Sequence, residues 1–152
     1  MASEQALLTA MIEQLGLDAV IPQGVRPQTG LRRYEPGEYL CVAGQPVDSF
    51  LILAGGRCRI LSLSDMGRQV ILDYMRPPDA NGDIELLNGS PWLHSVCAEL
   101  PTTAIAIPQT VFLEQMMAHL PFVQMLCHGF ARKLYTTSSR HSIELLYPLT
   151  NR

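Results

Sequence analysis

No stretch of the 152-residue chain approaches the run of about 20 apolar residues that a membrane-spanning helix requires. The first segment, MASEQALLTAMIEQLGL, carries acids and has no basic region ahead of its apolar part. It does not read as a signal peptide, so the expected compartment is the cytoplasm, with reduced thiols. Cysteine is scarce: Cys41, Cys58, Cys97 and Cys127 stand far apart and form no CxxC pair, which leaves no zinc or dithiol motif. Three of them fall in apolar, strand-like runs, where a reduced cysteine packs as a small hydrophobe. Positive charge is sparse and scattered, with 11 Lys and Arg against 14 Asp and Glu and a net charge of −3. Binding to a duplex needs clustered cations that release counterions, so this chain alone is not expected to hold DNA. Of the four histidines, His94, His119, His128 and His141, three lie in the C-terminal helical region, and there is no HxH. GxSxG, P-loop and HExxH patterns are also missing. Neither an enzyme, a cupin-like metal site included, nor a bound metal or cofactor is expected.

What the chain does have is enough apolar surface for one sizeable core, 47% of its residues. Residues 1–30 read as a helix and a loop: Leu7, Leu8, Met11, Ile12 and Leu15 recur at helical spacing between a capping Ser3 and Gly16. Between 31 and 108 the texture changes to short strand-like runs, Leu31–Tyr34, Tyr39–Val42, Phe50–Ala54, Cys58–Leu63, Gln69–Tyr74, Ser95–Glu99 and Thr103–Ile107. Gly, Pro or Asp turns separate them, and no gap is long enough for crossover helices. That pattern predicts an antiparallel sandwich, roll or barrel. Residues 109–147 read as helical, with a short helix over Thr110–His119 and a longer one from Pro121 to about Leu146, stopping before Pro148. The longer helix would reach roughly 39 Å, more than a small roll needs for cover. Its stripe of Phe122, Leu126, Phe130, Leu134, Thr137 and His141 predicts a seam with a second copy.

One set of residues carries more. Tyr34-Glu35-Pro36-Gly37-Glu38-Tyr39-Leu40, Ala43-Gly44, Phe50 to Gly56, Asp65 to Leu72 and Gly82-Asp83-Ile84-Glu85-Leu86-Leu87 together resemble the cyclic-nucleotide-binding domains of the cyclic-AMP receptor protein and FNR regulator superfamily. The tail, Ala131-Arg132-Lys133-Leu134 with Thr137-Ser138, resembles that superfamily's long dimerisation helix, and 148–152 the start of its hinge. The resemblance implies a jelly-roll-type β-roll with flanking helices, a homodimer, and a winged helix-turn-helix after residue 152. DNA would be contacted only through that missing module, and no membrane is implied.

Family members that take a cyclic nucleotide cradle its phosphate on main-chain N–H groups, pair it with an Arg and hold the ribose with a Glu. Matched residue by residue, Gly82 is kept, the Glu position holds the shorter Asp83, and Ile84, Glu85 and Leu86 follow. The Arg position is Trp92, followed by Leu93; a gapped match would put His94-Ser95 there instead. Neither supplies a guanidinium, and Glu85 adds a carboxylate. Thr137 and Ser138 match positions that contact the base in the cyclic-AMP receptor. The expectation is a sensor domain that does not answer to cyclic AMP; the alternative is a regulatory cyclic-nucleotide module with a degenerate cassette. Its effector stays open between an apolar small molecule admitted by Trp92 and Leu93, a redox signal at a cysteine, and none, with Trp92 filling the pocket.

Overall fold

The computed structural model describes residues 3–150, with side chains as far as 139. Helix α1 (Glu4–Gln14) begins where the Ser3 hydroxyl accepts the Ala6 N–H at 3.1 Å, satisfying one of the donors that a helix start leaves unpaired. Leu8 and Ile12, one turn apart, are fully buried against the roll. The loop that follows is tied down by a side chain with no local signature. Arg26 is buried, and its guanidinium donates to the Ile21 carbonyl from Nε at 3.3 Å and Nη2 at 3.1 Å.

Eight strands make the roll: β1 (Gly30–Tyr34), β2 (Tyr39–Cys41), β3 (Ser49–Gly55), β4 (Cys58–Leu63), β5 (Gln69–Met75), β6 (Ala80–Asn81), β7 (Ser95–Ala98) and β8 (Thr102–Pro108). All pairings are antiparallel, in two four-stranded sheets ordered β1-β8-β3-β6 and β2-β7-β4-β5. Seven strands coincide with the runs expected from the sequence. The eighth, β6, is two residues long, too short to show alternation, and pairs with Leu51 and Ile52 of β3. β3 itself is buried from Ser49 to Leu53, as a strand covered on both faces must be. At the β3–β4 turn Gly56 has φ 94°, and a Cβ there would run into Thr102 and the Pro101 carbonyl, so only glycine fits. β5 is an edge strand, with Val70, Ile71 and Leu72 all about half exposed.

Three further helices follow: α2 (Asp83–Asn88), α3 (Gln109–Glu114) and α4 (Leu120–Thr150). The single helix expected over Thr110–His119 is divided, because the chain leaves α3 at Gln115 for a short 3-10 turn, Met116–Ala118. His119 is then extended, and the bend brings α4 back onto the roll. There Phe50 of β3, Phe112 of α3 and Phe122 of α4 meet with ring centroids 5.1, 5.6 and 5.7 Å apart, tilted or edge-on, the geometry that aromatic quadrupoles favour. α4 does not stop ahead of Pro148 but runs on to Thr150. A proline this near a helix end forfeits only one main-chain bond. The last two residues of the hinge expected at 148–152 lie outside the described residues.

The expected dimer seam needs correction at its first two positions. Phe122 is 0% and Leu126 6% exposed, both inside the protomer's own core, and Phe130 is half-buried against that core. A helical apolar stripe covers the nearest apolar face first, and the roll supplies one. Leu134, 66% exposed, and Thr137 stay on the outside, while the side chain of His141 lies outside the described residues. Phe122→Ala is expected to lower stability by about 3–5 kcal/mol in urea unfolding, the usual cost of emptying a buried aromatic site. A loss below about 1 kcal/mol would show that the ring cluster does not anchor α4.

Candidate functional site

The residues matched to the nucleotide cassette sit where β6 turns through Gly82 into α2. Gly82 has φ 106°, and a Cβ at this position would lie 3.1 Å from both the Ser49 carbonyl oxygen and Cη2 of Trp92. The close contact shows where the indole goes. Trp92 is 5% exposed and belongs to the hydrophobic core. Its main chain is held on both sides: its N–H donates to the Gln45 carbonyl at 3.0 Å, and its carbonyl accepts the Gly44 N–H at 2.9 Å. The position matched to a phosphate-pairing arginine thus holds a ring turned inward.

The two carboxylates are also turned inward. Asp83 is buried and accepts the Ile84 N–H at 2.9 Å. Glu85 is buried too, and its Oε2 accepts the Leu93 N–H at 3.2 Å, joining α2 to the segment after Trp92. Leu86 points into the core, whereas the side chains of Ile84 and Leu93 are exposed.

Beside α2 lies a cleft of about 570 Å³ between the roll and the first half of α4. Its apolar wall includes Phe50, Ile52, Ile60 and Met75, and α4 closes it with Met125, Leu126 and Gly129. Of the expected site residues, Asp83, Ile84, Glu85 and Leu93 line this cleft. Gly82, Leu86 and Trp92 support it from behind, in the core. Thr137 and Ser138 are exposed farther along α4 and do not border it.

Sequence reasoning missed Asn81 and Cys41, and met His94 only through the gapped match. The Cys41 thiol donates to the His94 carbonyl at 3.5 Å and accepts from Asn81 Nδ2 at 3.5 Å. Burial pushes this thiol up to about 12, the negative charge of Glu85 adding to the rise against the hydrogen bonds from Val96 and Asn81. Burial also raises the Cys58 thiol, against its contact with the Thr102 hydroxyl. Nδ1 of His94 is buried without a hydrogen-bond partner. Among the described residues, no three His, Cys, Asp or Glu side chains converge on a metal position. No described helix is long and apolar enough to cross a membrane.

These features sit in a recognisable lineage. Residues 31–119 match the cyclic nucleotide-binding domain family, and the chain belongs to it. It is similar to the regulatory protein YeiL of Escherichia coli O157:H7, 24% identical over 128 residues that cover 84% of this chain and 58% of that protein. The chain therefore spans little more than half the length of that relative. Among solved structures it is similar to the sensor domain of the transcriptional regulator DNR from Pseudomonas aeruginosa, with a TM-score of 0.70, 19% identity, and cover of 87% of this chain and 91% of that one. It is also similar to the Thermus thermophilus catabolite activator protein, with a TM-score of 0.69, 20% identity, and cover of 94% and 60%. Identities this low establish the shared fold.

The buried thiols give a direct check. Cys41, Cys58 and Cys97 are buried and Cys127 is exposed. A thiol pushed up to about 12 is thiolate in roughly one molecule in ten thousand at pH 8, and the thiolate is the reactive form. A disulfide reagent at pH 8 is expected to titrate one thiol rapidly in the folded chain and all four in denaturant. Fast reaction at Cys41, located by peptide mapping, would contradict its burial.

Proposed function

We propose that this chain is the effector-sensing and dimerisation domain of a bacterial transcription regulator of the CRP/FNR type, and that cyclic AMP is not its effector. The observation that carries the second half is the bond between buried Glu85 and the Leu93 N–H, beside a Trp92 ring packed into the core. In a nucleotide-binding member, that end of the cleft offers N–H donors and a guanidinium to a phosphate. Here the Leu93 donor is already occupied by a carboxylate, and the indole brings no charge. A phosphate placed at this end would meet the buried carboxyl group of Glu85, which the nucleotide-binding members lack.

The first half draws on the relatives: one is a regulatory protein, another the sensor domain of a transcriptional regulator. The exposed continuation of α4 supports dimerisation. Leu134 and Tyr135 lie largely in solvent, following on from half-buried Phe130, and an exposed apolar stripe on a long helix calls for a partner helix. DNA contact would belong to a module outside this chain, and no catalytic role is assigned to these residues.

Hydrogen bonds to charged groups are each worth roughly 1.5–3 kcal/mol. Losing about 3 kcal/mol weakens binding more than a hundredfold. Calorimetric titration is therefore expected to give a Kd in the millimolar range or weaker for both cyclic AMP and cyclic GMP. Trp92→Arg alone should not restore binding, because Glu85 still occupies the Leu93 N–H. Micromolar binding by the parent chain would overturn the proposal.

Dimerisation has its own check. A charge at the centre of an apolar seam must be desolvated on association, so Leu134→Glu is expected to sediment as a monomer with the roll's circular dichroism unchanged. Identical sedimentation of variant and parent would refute the seam.

A further inference from the structure

Trp92 packs into the core against Gly82 and does not fill the cleft, where about 570 Å³ stays open between the roll and α4. On the helix side one position is cut away. Met125, Leu126, Gly129, Arg132 and Lys133 recur at helical spacing along the face of α4 that borders the cleft, with Gly129 at its centre. Glycine is the poorest helix former after proline, and a glycine well inside a helix calls for a reason. No turn requires it here, since the backbone at 129 is helical. Nor does a close contact, since a Cβ at this position would meet no atom within 4 Å outside its own stretch of helix. Any larger residue would project into the cleft. What the glycine preserves is space.

The walls around that space select no charge. Asp73 and Asp79 approach the mouth from the roll and Arg132 and Lys133 from α4, all four exposed, so opposite signs face each other there and water screens them. At the inner end Asp83 and Glu85 each accept a main-chain N–H. The rest is apolar. Phe50, Ile52 and Met75 make the floor, and Ile84 and Leu93, 40% and 65% exposed, stand at the edge as large apolar side chains open to water. An ion brought onto such a surface gives up more hydration than a neutral molecule of the same shape. The volume falls within the roughly 300–1,000 Å³ usual for small-molecule sites. An apolar cavity of about 150 Å³ holds benzene, so this one has room for two fused rings.

We infer that the cleft takes an uncharged, apolar small molecule of about the bulk of two fused rings, seated on Phe50, Ile52 and Met75 and against α4 in the space that Gly129 leaves. Ile84 and Leu93 fold over its exposed edge. The inference rests on the reading of this cleft as an effector site closed to cyclic nucleotides, and it adds the chemical class of the ligand and the residue that makes room for it.

Three probes of one shape and different charge test it: naphthalenemethanol, naphthoate and naphthylmethylammonium, the same positional isomer of each, titrated calorimetrically into the intact chain at neutral pH. The alcohol is expected to bind at least tenfold more tightly than either ion. Gly129→Leu places an apolar side chain in the open space and a better helix former in α4. It should weaken the alcohol at least tenfold while the circular dichroism of the roll is unchanged. Either ion binding as tightly as the alcohol, or no binding by any of the three at millimolar concentration, would overturn the inference. So would unaltered binding of the alcohol in Gly129→Leu, and if the dimer were lost at the same time the glycine would belong to the seam of α4 instead. The ranking in the parent chain decides by itself if the variant fails to fold. A parent that refuses cyclic AMP yet shows no preference for the alcohol loses this inference alone; micromolar cyclic AMP binding removes the reading beneath it.

Discussion

Phe50, Phe112 and Phe122 meet where β3, α3 and α4 join, and the placement of the long helix on the roll depends on that contact. β3 is the strand buried on both faces, so a ring standing on its outer side has to be covered by something. α3 and the first turn of α4 do this together, and the bend at Gln115 and His119 is the geometric condition for it. Once Phe122 is seated, Leu126 follows one turn later and Phe130 after another, and the cleft is whatever space remains between this helix and the strands. Each burial of this kind contributes a few kcal/mol, a large share of the net stability of a small domain.

The cassette end of the roll is organised by contacts the chain makes with itself. The Trp92 ring lies on Gly82, the Trp92 main chain is clamped to Gly44 and Gln45, and Glu85 holds Leu93. Gly82 is therefore required twice, for its positive φ and for the ring that rests against it. These contacts leave the fold of the family intact while changing what its inner surface offers a ligand. The scaffold is a property of strand pairing and turns, whereas the chemistry resides in a handful of side chains grafted on it.

Seven strands and the N-terminal helix were legible because Gly, Pro and Asp mark their ends and because Ser3 caps a helix by a local bond. β6 was not, since two residues carry no period. α2 was not legible from periodicity either: DIELLN is less than two turns and has the look of a loop. The inward turn of Glu85 is a tertiary event. A carboxylate on a short helix ordinarily faces water, and only the approach of the Leu93 N–H, eight residues on, makes the buried position tenable. For Trp92 the sequence left open whether the ring admits a ligand or fills space, and its packing on Gly82 puts it in the core. On α4 the apolar stripe was correct as a pattern, but periodicity alone cannot divide it between an internal partner and an external one. Phe122 and Leu126 belong to the first, and Leu134 stands clear of it.

Among the residues whose side chains are described, α4 meets the roll at one end only. Its first three turns rest on the roll, and from Phe130 to Thr150 some twenty further residues extend the rod by about 30 Å. That is the construction of a lever pivoted at the aromatic cluster, with Gly129 two turns farther along the helix. Since Met125, Leu126 and Gly129 also wall the cleft, they stand on the same arm as the helix tip and close to the pivot, where a small push would be enlarged along the rod. A tilt of roughly 10° about such a fulcrum swings the tip of a 30 Å rod through roughly 5 Å, close to the pitch of one helical turn. A displacement too small to disturb the β-roll would in this way be magnified at the far end of the helix.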